Sequence, residues 1–348
     1  MATIYDEVDP VELTATLRVL PEPPNFQLNQ FLPDVLSQQI RFTITDLEHL
    51  VRTATFRSYD APVAIGKRGS FTKRQGALPA LGRGFVVGEY ARLLQEQLRG
   101  IDSSEIVGTV EDDAKTGVEE IRARMEAARG QVLSTGKFSL VDEDGLTLEA
   151  DFNVPGGQLN VAPTGPTWVN HSTAVIPTDL EAWADAVEAA SGERPTQFIA
   201  GRSVLGNMYA NEKLIKQYAT VFGSPDKLGA AQVNQLLDNR DLPTIALGAD
   251  GRPLRPAKVL TDGSTVDTYP ADSITLLPPT PIGETRWGPT VEALELVQAK
   301  RMVLQDTPGV IALALVDANP ASLTTVVNAV GCPLIKRPKA MLVAKPLG

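Results

Sequence analysis

This chain is poor in the residues that do chemistry. Among 348 residues there are one cysteine and two histidines, and aromatic residues make up 5%. A lone Cys332 excludes an intrachain disulfide and any cysteine-built zinc cage. Pro333 follows it directly and no histidine lies near it in sequence, so it reads as a small buried hydrophobe rather than a nucleophile. Neither His49 nor His171 sits in a metal-ligating spacing such as H-E-x-x-H. No apolar run approaches the roughly 20 residues that a membrane helix needs; the longest obvious one is Val310 to Val316. The N-terminus carries Asp6, Glu7 and Asp9 where a secretory signal would carry basic residues and then an apolar stretch, so the expectation is a soluble chain made inside the cell. Basic character is also missing overall: the formal charge is -10 and the pI about 4.9, which argues against a dedicated nucleic-acid binder.

Enzymatic signatures are missing as well. Gly66-Lys67 has no preceding phosphate-loop glycine and is followed by Arg68, where such a loop places Ser or Thr. Gly82, Gly84 and Gly88 have the wrong final spacing for a dinucleotide fingerprint. Gly201-Arg202-Ser203 is not completed by a glycine, since residue 205 is Leu. The Asp-rich turn Asp142 to Gly145 lacks the glycine and terminal glutamate of a calcium loop. No cofactor or metal is expected, and the chain reads as one built to contact other chains.

What is present is a basic island in an acidic chain. Between Arg57 and Gly84 lie Arg57, Lys67, Arg68, Lys73, Arg74 and Arg83, against the single acid Asp60. Short extended runs flank Gly66, Gly69 and Gly76, which is the chemistry of a hairpin with too few apolar residues to pack a face of its own. A two-stranded ribbon alone is marginal in water, so its support should come from elsewhere.

Length suggests about two domains. Residues 1 to about 50 read as an arm in which Pro10, Pro21, Pro23, Pro24 and Pro33 interrupt any helix. A brief helix is expected from Glu89 to Arg99. A longer one is expected from about Glu111 to Thr135, with a stripe of Val118, Ile121, Met125 and Val132. Asp112 and Asp113 would sit at its start, Gly136 at its left-handed end, and Glu120 and Arg124 would pair along its wet face. Such a helix could lie across a sheet as a spine, although an ordinary amphipathic core helix accounts for the pattern equally well. A hairpin follows, Lys137 to Val141 and Leu146 to Val154.

Pro163, Gly165 and Pro166 mark a boundary. Beyond it Thr178 and Glu181 form a capping box, Leu180, Trp183 and Val187 a buried stripe, and Gly192 a stop. A strand at Thr196 to Ala200, helices between Ser203 and Tyr218 broken at Gly206 and Asn211, and a second hairpin pairing Thr244 to Leu247 with Ala257 to Leu260 complete this part. The tail, Gly309 to Val316, Leu323 to Val330 and Ala340 to Val343, is β-rich, and its cations Lys336, Arg337, Lys339 and Lys345 have no acids nearby in sequence. Helices and strands alternating in this irregular order predict an α+β fold.

The run AP-x-x-x-GKR-x-x-FT-x-x-x-G-x-LP-x-LG over residues 61 to 82, followed by VVGEYARLL from Val86 to Leu94, resembles the extended loop and following helix of the major capsid proteins of tailed bacteriophages. The likeness is to the lambda-like branch with the HK97 shell fold, including capsid protein E of phages of actinobacteria. The resemblance implies an N-terminal arm at 1–55 and an E-loop at 56–88. It also implies a peripheral domain with a spine helix at 89–162 and 306–348, and an axial domain at 163–305. It further implies no enzymatic activity and no cofactor. The partners would be copies of the chain itself, as pentamers and hexamers of an icosahedral shell around double-stranded DNA. A separate scaffolding protein, a portal and a decoration protein would join them, DNA contact would be non-specific, and assembly would occur in the host bacterial cytoplasm. Arg57, Lys67, Arg68, Lys73, Arg74 and Arg83 would make the inter-subunit contacts of the loop. An encapsulin-like cellular shell or a tail-tube subunit is the competing reading.

Overall fold

The structure, a computed structural model, describes residues 3–4, 8–47, 71–89, 103–143, 146–222, 226–248, 250–261, 264–318 and 321–348. The strands in chain order are β1 (Thr3–Ile4), β2 (Asp34–Leu36), β3 (Arg41–Leu47), β4 (Phe71–Ala77), β5 (Ala80–Val87), β6 (Lys137–Glu143), β7 (Leu146–Asp151), β8 (Gln197–Ala200), β9 (Thr244–Ile245), β10 (Lys258–Thr261), β11 (Ser264–Asp267), β12 (Ile274–Leu277), β13 (Gly283–Gly288), β14 (Ile311–Ala318), β15 (Ala321–Ile335) and β16 (Leu342–Ala344). The helices are α1 (Pro10–Val19), α2 (Ser103–Thr135), α3 (Ile176–Ser191), α4 (Arg202–Tyr209), α5 (Glu212–Phe222), α6 (Ala230–Asp238) and α7 (Val291–Gln298). The helix expected from Glu89 to Arg99 lies, apart from Glu89, outside the described residues.

Pro10 begins a helix rather than breaking one. In the first turn a proline gives up only an N–H that has no partner within the helix, and the Asp9 carboxylate accepts the Val11 amide at 3.0 Å. Leu13, Thr14 and Leu17 of α1 are buried, and Thr14 exchanges hydrogen bonds with the backbone of Ala312. The first part of the expected arm is therefore docked on the body and shares its core.

That body is a six-stranded sheet ordered β1-β14-β15-β13-β2, with β5 also on β15. One edge of the 15-residue β15 serves two partners, Ala321 to Asn328 pairing with β14 and Val330 to Ile335 with β13, and the other edge pairs with β5 over Leu323 to Val330. Helix α2 lies against β15 and β5, and buries Val110, Ala114, Val118, Ile121, Met125, Val132 and Leu133. It starts at Ser103, so Asp112 and Asp113 are interior to it and do not face its positive end. The buried face is wider than the sequence stripe because it also takes in Val110, Ala114, Leu133 and the charged Glu126 and Arg129. A Cβ on Gly117 would stand 2.7 Å from the Val327 side chain, so the glycine lets helix and sheet approach. Gly136, at φ 68°, closes the helix in the left-handed conformation.

A second core forms on the four-stranded sheet β16-β12-β8-β9, where Trp168, Leu180, Trp183, Val187, Phe198, Val204, Met208, Val233 and Ile274 come together. The sheets do not follow the sequence boundaries: β13 leaves the 163–305 stretch for the six-stranded sheet, and β16 returns from the tail to the four-stranded one. Helix α3 buries Leu180, Trp183 and Val187 and ends at Gly192 as expected, but it begins at Ile176 with Val175 as N-cap, so Thr178 is no cap. The helix pair breaks at Ala210 and Asn211, and Gly206 is interior to α4. The expected hairpin around Asp250 to Pro253 reduces to one bridge, Leu247 to Pro253. β9 instead pairs in parallel with β8, and β10 pairs with β11. Pro253 and Pro256 have no amide to extend the ladder, whereas Ser264 to Asp267 do.

Candidate subunit-contact ribbon

β3 and β4 form an antiparallel ribbon from Arg41–Ala77 to Leu47–Phe71 that, among the described residues, pairs with no further strand. Its first strand comes from the stretch read as arm, and the intervening residues 48–70 lie outside the described ones. The ribbon is rooted by two apolar side chains. Phe42 is 4% exposed and Leu78 8%, both belong to the main core, and the Leu78 amide donates to the Ile40 carbonyl at 2.8 Å. Gly76 is required opposite Phe42, because a Cβ there would stand 2.4 Å from the ring. Between this root and the β6–β7 hairpin is a cavity of about 440 Å³ lined by Phe42, Ala77, Phe138, Leu148, Phe152 and Cys332. Burial pushes the Cys332 thiol up to about 12, so the group is an inert part of this wall.

The six cations singled out in sequence do not share one place. Arg57, Lys67 and Arg68 lie outside the described residues. Lys73 and Arg74 are on β4, opposite Thr45 and Ile44. Arg83 is on β5 inside the six-stranded sheet, and its Nε is 2.6 Å from the Glu120 carboxylate on α2. Glu120 is thus held by a strand that packs across its helix. The tail cations find acids that are distant in sequence: Lys336 meets Glu284, Arg337 meets Glu193 at 2.7 Å, and Lys345 meets Asp272 at 3.5 Å.

Nothing described has the form of a catalytic or metal centre. His171 Nε2 is 2.8 Å from the Asn207 side-chain oxygen, and His49 lies outside the described residues. Among the described residues no group of three or more His, Cys, Asp or Glu could hold a metal ion, and no helix is long and apolar enough to cross a membrane.

A spine helix laid along a β-sheet, a projecting ribbon just before it in sequence and a separate helix-on-sheet unit define the HK97-like capsid fold, an α+β class of shell proteins. The family model described as phage major capsid protein E matches residues 9–289, and the chain belongs to that family. The fold is similar to the crystal structure of a putative prophage capsid protein from Escherichia coli (15% identity, 99% of each chain covered, TM-score 0.61). It is also similar to a phage-related protein from Bordetella bronchiseptica (14% identity, 98% of this chain and 97% of that one, TM-score 0.57). No curated protein matches. The chain is a structural protein of the phage capsid and not an enzyme.

Proposed function

We propose that this chain assembles with copies of itself, as pentamers and hexamers, into an icosahedral shell that encloses double-stranded DNA. The observation that carries the reading is the ribbon β3–β4, a basic two-stranded element with a root in the core and, among the described residues, no further strand beside it, in a chain of the major capsid family. In an acidic protein, a basic ribbon is complementary to the surface of a second copy, and such contacts repeat by symmetry. In this reading the ribbon and residues up to 88 act as the E-loop. The unit on the six-stranded sheet with α2 acts as the peripheral domain, and the unit on the four-stranded sheet as the axial domain. Arg57, Lys67, Arg68, Lys73 and Arg74 contact neighbours, whereas Arg83 first serves its own subunit through Glu120. A scaffolding protein, a portal and a decoration protein are the expected partners in the host cytoplasm. Packaged DNA is met through phosphate neutralisation alone, with the salt sensitivity that follows.

Electron microscopy of the purified chain tests this: shells or capsomer rings support it, tubes favour a tail subunit, and a lasting 37.3 kDa monomer overturns it. Replacing Lys67, Arg68, Lys73 and Arg74 by Glu should leave the subunit folded and block assembly. Normal shells from that variant would remove the loop from the contact.

A further inference from the structure

A cluster of two carboxylates and one guanidinium joins the N-terminal arm to the long helix, with Glu126 and Arg129 buried and Asp34 39% exposed at its rim. Arg129 of α2 is 2% exposed and donates to three acceptors: Asp34 Oδ1 at 2.6 Å, Thr285 Oγ1 at 3.0 Å and Glu126 Oε2 at 3.2 Å. Glu126 is 1% exposed, and its other oxygen accepts the Leu28 amide of the arm at 2.9 Å. Asp34 also accepts the Trp287 indole N–H at 2.9 Å, and the Thr285 hydroxyl donates to the Leu32 carbonyl at 2.8 Å. The arm from Leu28 to Leu36 is thereby fastened to α2 and β13 through two carboxylates and one guanidinium.

Among the described residues Arg129 is the one cation paired with Glu126, and Arg252 and Arg255 line a separate pocket beside Gln27. Arg122, one turn from Glu126, donates to the carbonyls of Leu20 and Pro21. On β13 the charged residues Glu284 and Arg286 pair with each other, and Glu284 also meets Lys336. The turn Leu28–Gln30 that covers Glu126 contains no charged residue. Burial therefore pushes the Glu126 carboxyl up from the ordinary range, against the pull of the Leu28 and Gln27 amides and of Arg129. On taking a proton, Glu126 keeps a lone pair for Leu28. Arg129 keeps Asp34 and Thr285, and the cluster becomes neutral.

We propose that Glu126 is a proton-binding latch, which holds the arm segment from Leu28 to Leu36 on the long helix more tightly when neutral and releases it as pH rises. The sign follows from linkage: a carboxyl raised in the closed state binds more protons there than in the open state. Closure is then strongest on the acid side of the window, weakens as pH climbs through the raised value, and stays level above it. With one proton coupled, the opening constant changes by up to about tenfold per pH unit inside the window.

Hydrogen exchange of the full chain, followed by mass spectrometry from pH 5 to 8 and corrected for intrinsic exchange, reads this directly. Peptides spanning 26–36 should exchange faster, up to about tenfold per unit, as pH rises, while peptides within α3 stay level. Glu126→Gln, a neutral analogue that still accepts from Leu28, should hold the arm closed at pH 8 as the parent does at pH 5, with the slope gone. An unchanged slope in that variant overturns the proposal, and so does a slope shared equally by α3, which signals general loosening. If Glu126→Gln does not fold, the parent decides alone: an arm without a pH slope refutes the latch. None of these outcomes depends on shell assembly.

Discussion

At Gly130 the long helix packs directly on the backbone that follows β11. A Cβ built there would stand 1.7 Å from the Thr268 carbonyl oxygen and 3.4 Å from Leu28 Cδ1. Comfortable contact between heavy atoms begins at about 3.5 Å, so Gly130→Ala requires α2 and the segment after β11 to separate by well over an ångström. The oxygen belongs to the backbone, so no rotamer change relieves the clash. Moving α2 also disturbs the buried hydrogen bond from Thr275 Oγ1 to the Leu133 carbonyl, 2.9 Å long, one turn further on.

Alanine in place of glycine inside a helix gains about 1 kcal/mol of propensity. Overpacking costs about 1 to 3 kcal/mol, and the weakened hydrogen bond about 1 kcal/mol more. The expected net effect is a loss of about 2 kcal/mol, which lowers Tm by about 3 °C at the usual unfolding entropy per residue. Gly108, on the same helix, has nothing within 4 Å of its added Cβ. Gly108→Ala should raise Tm by about 1 °C through propensity alone. Calorimetry of the two variants side by side gives opposite signs if the reasoning holds. If Gly130→Ala also rises, the contact with Thr268 does not constrain the helix.

Asp179 is buried and accepts from the Thr164 amide at 2.9 Å, the Thr164 hydroxyl at 2.5 Å and the Trp168 indole at 2.8 Å. Asp179→Ala should cost about 3 kcal/mol in denaturant unfolding and alter the near-ultraviolet signal of the stacked Trp168 and Trp183. Arg83 and Glu120 are 60% and 43% exposed, so Arg83→Ala should cost less than about 1 kcal/mol. An Arg83→Glu and Glu120→Arg exchange should recover whatever assembly Arg83→Glu loses, and failure to do so would mean that Arg83 also reaches a neighbour. The Cys332 thiol, raised to about 12, should resist maleimide at pH 8 in the folded chain and react only as the chain unfolds. Because deprotonation is what burial opposes, stability through this group should be level below the ordinary thiol range, fall as pH climbs from that range towards the raised value, and stay level above it.

Sequence periodicity by itself determined the long helix with Val118, Ile121, Met125 and Val132 inside and Gly136 at its end, the β6–β7 hairpin, the stripe of Leu180, Trp183 and Val187, and the strands of the tail. Together these imply the α+β class, and the basic run with its glycines pointed to the family. They are legible because helix and strand periods and glycine's left-handed conformation act over a few residues. Partner choice was decided only by the tertiary structure. Pro10 begins a helix because a core awaits it on β14, Thr43 and its neighbours pair with β4 from the far side of residues 48–70, and Arg83 meets Glu120. The tail cations meet Glu193, Asp272 and Glu284, and Arg129 fastens Asp34 from 95 residues away. Those contacts leave no mark in local spacing, because they depend on which buried groups still need a partner once the sheets have packed.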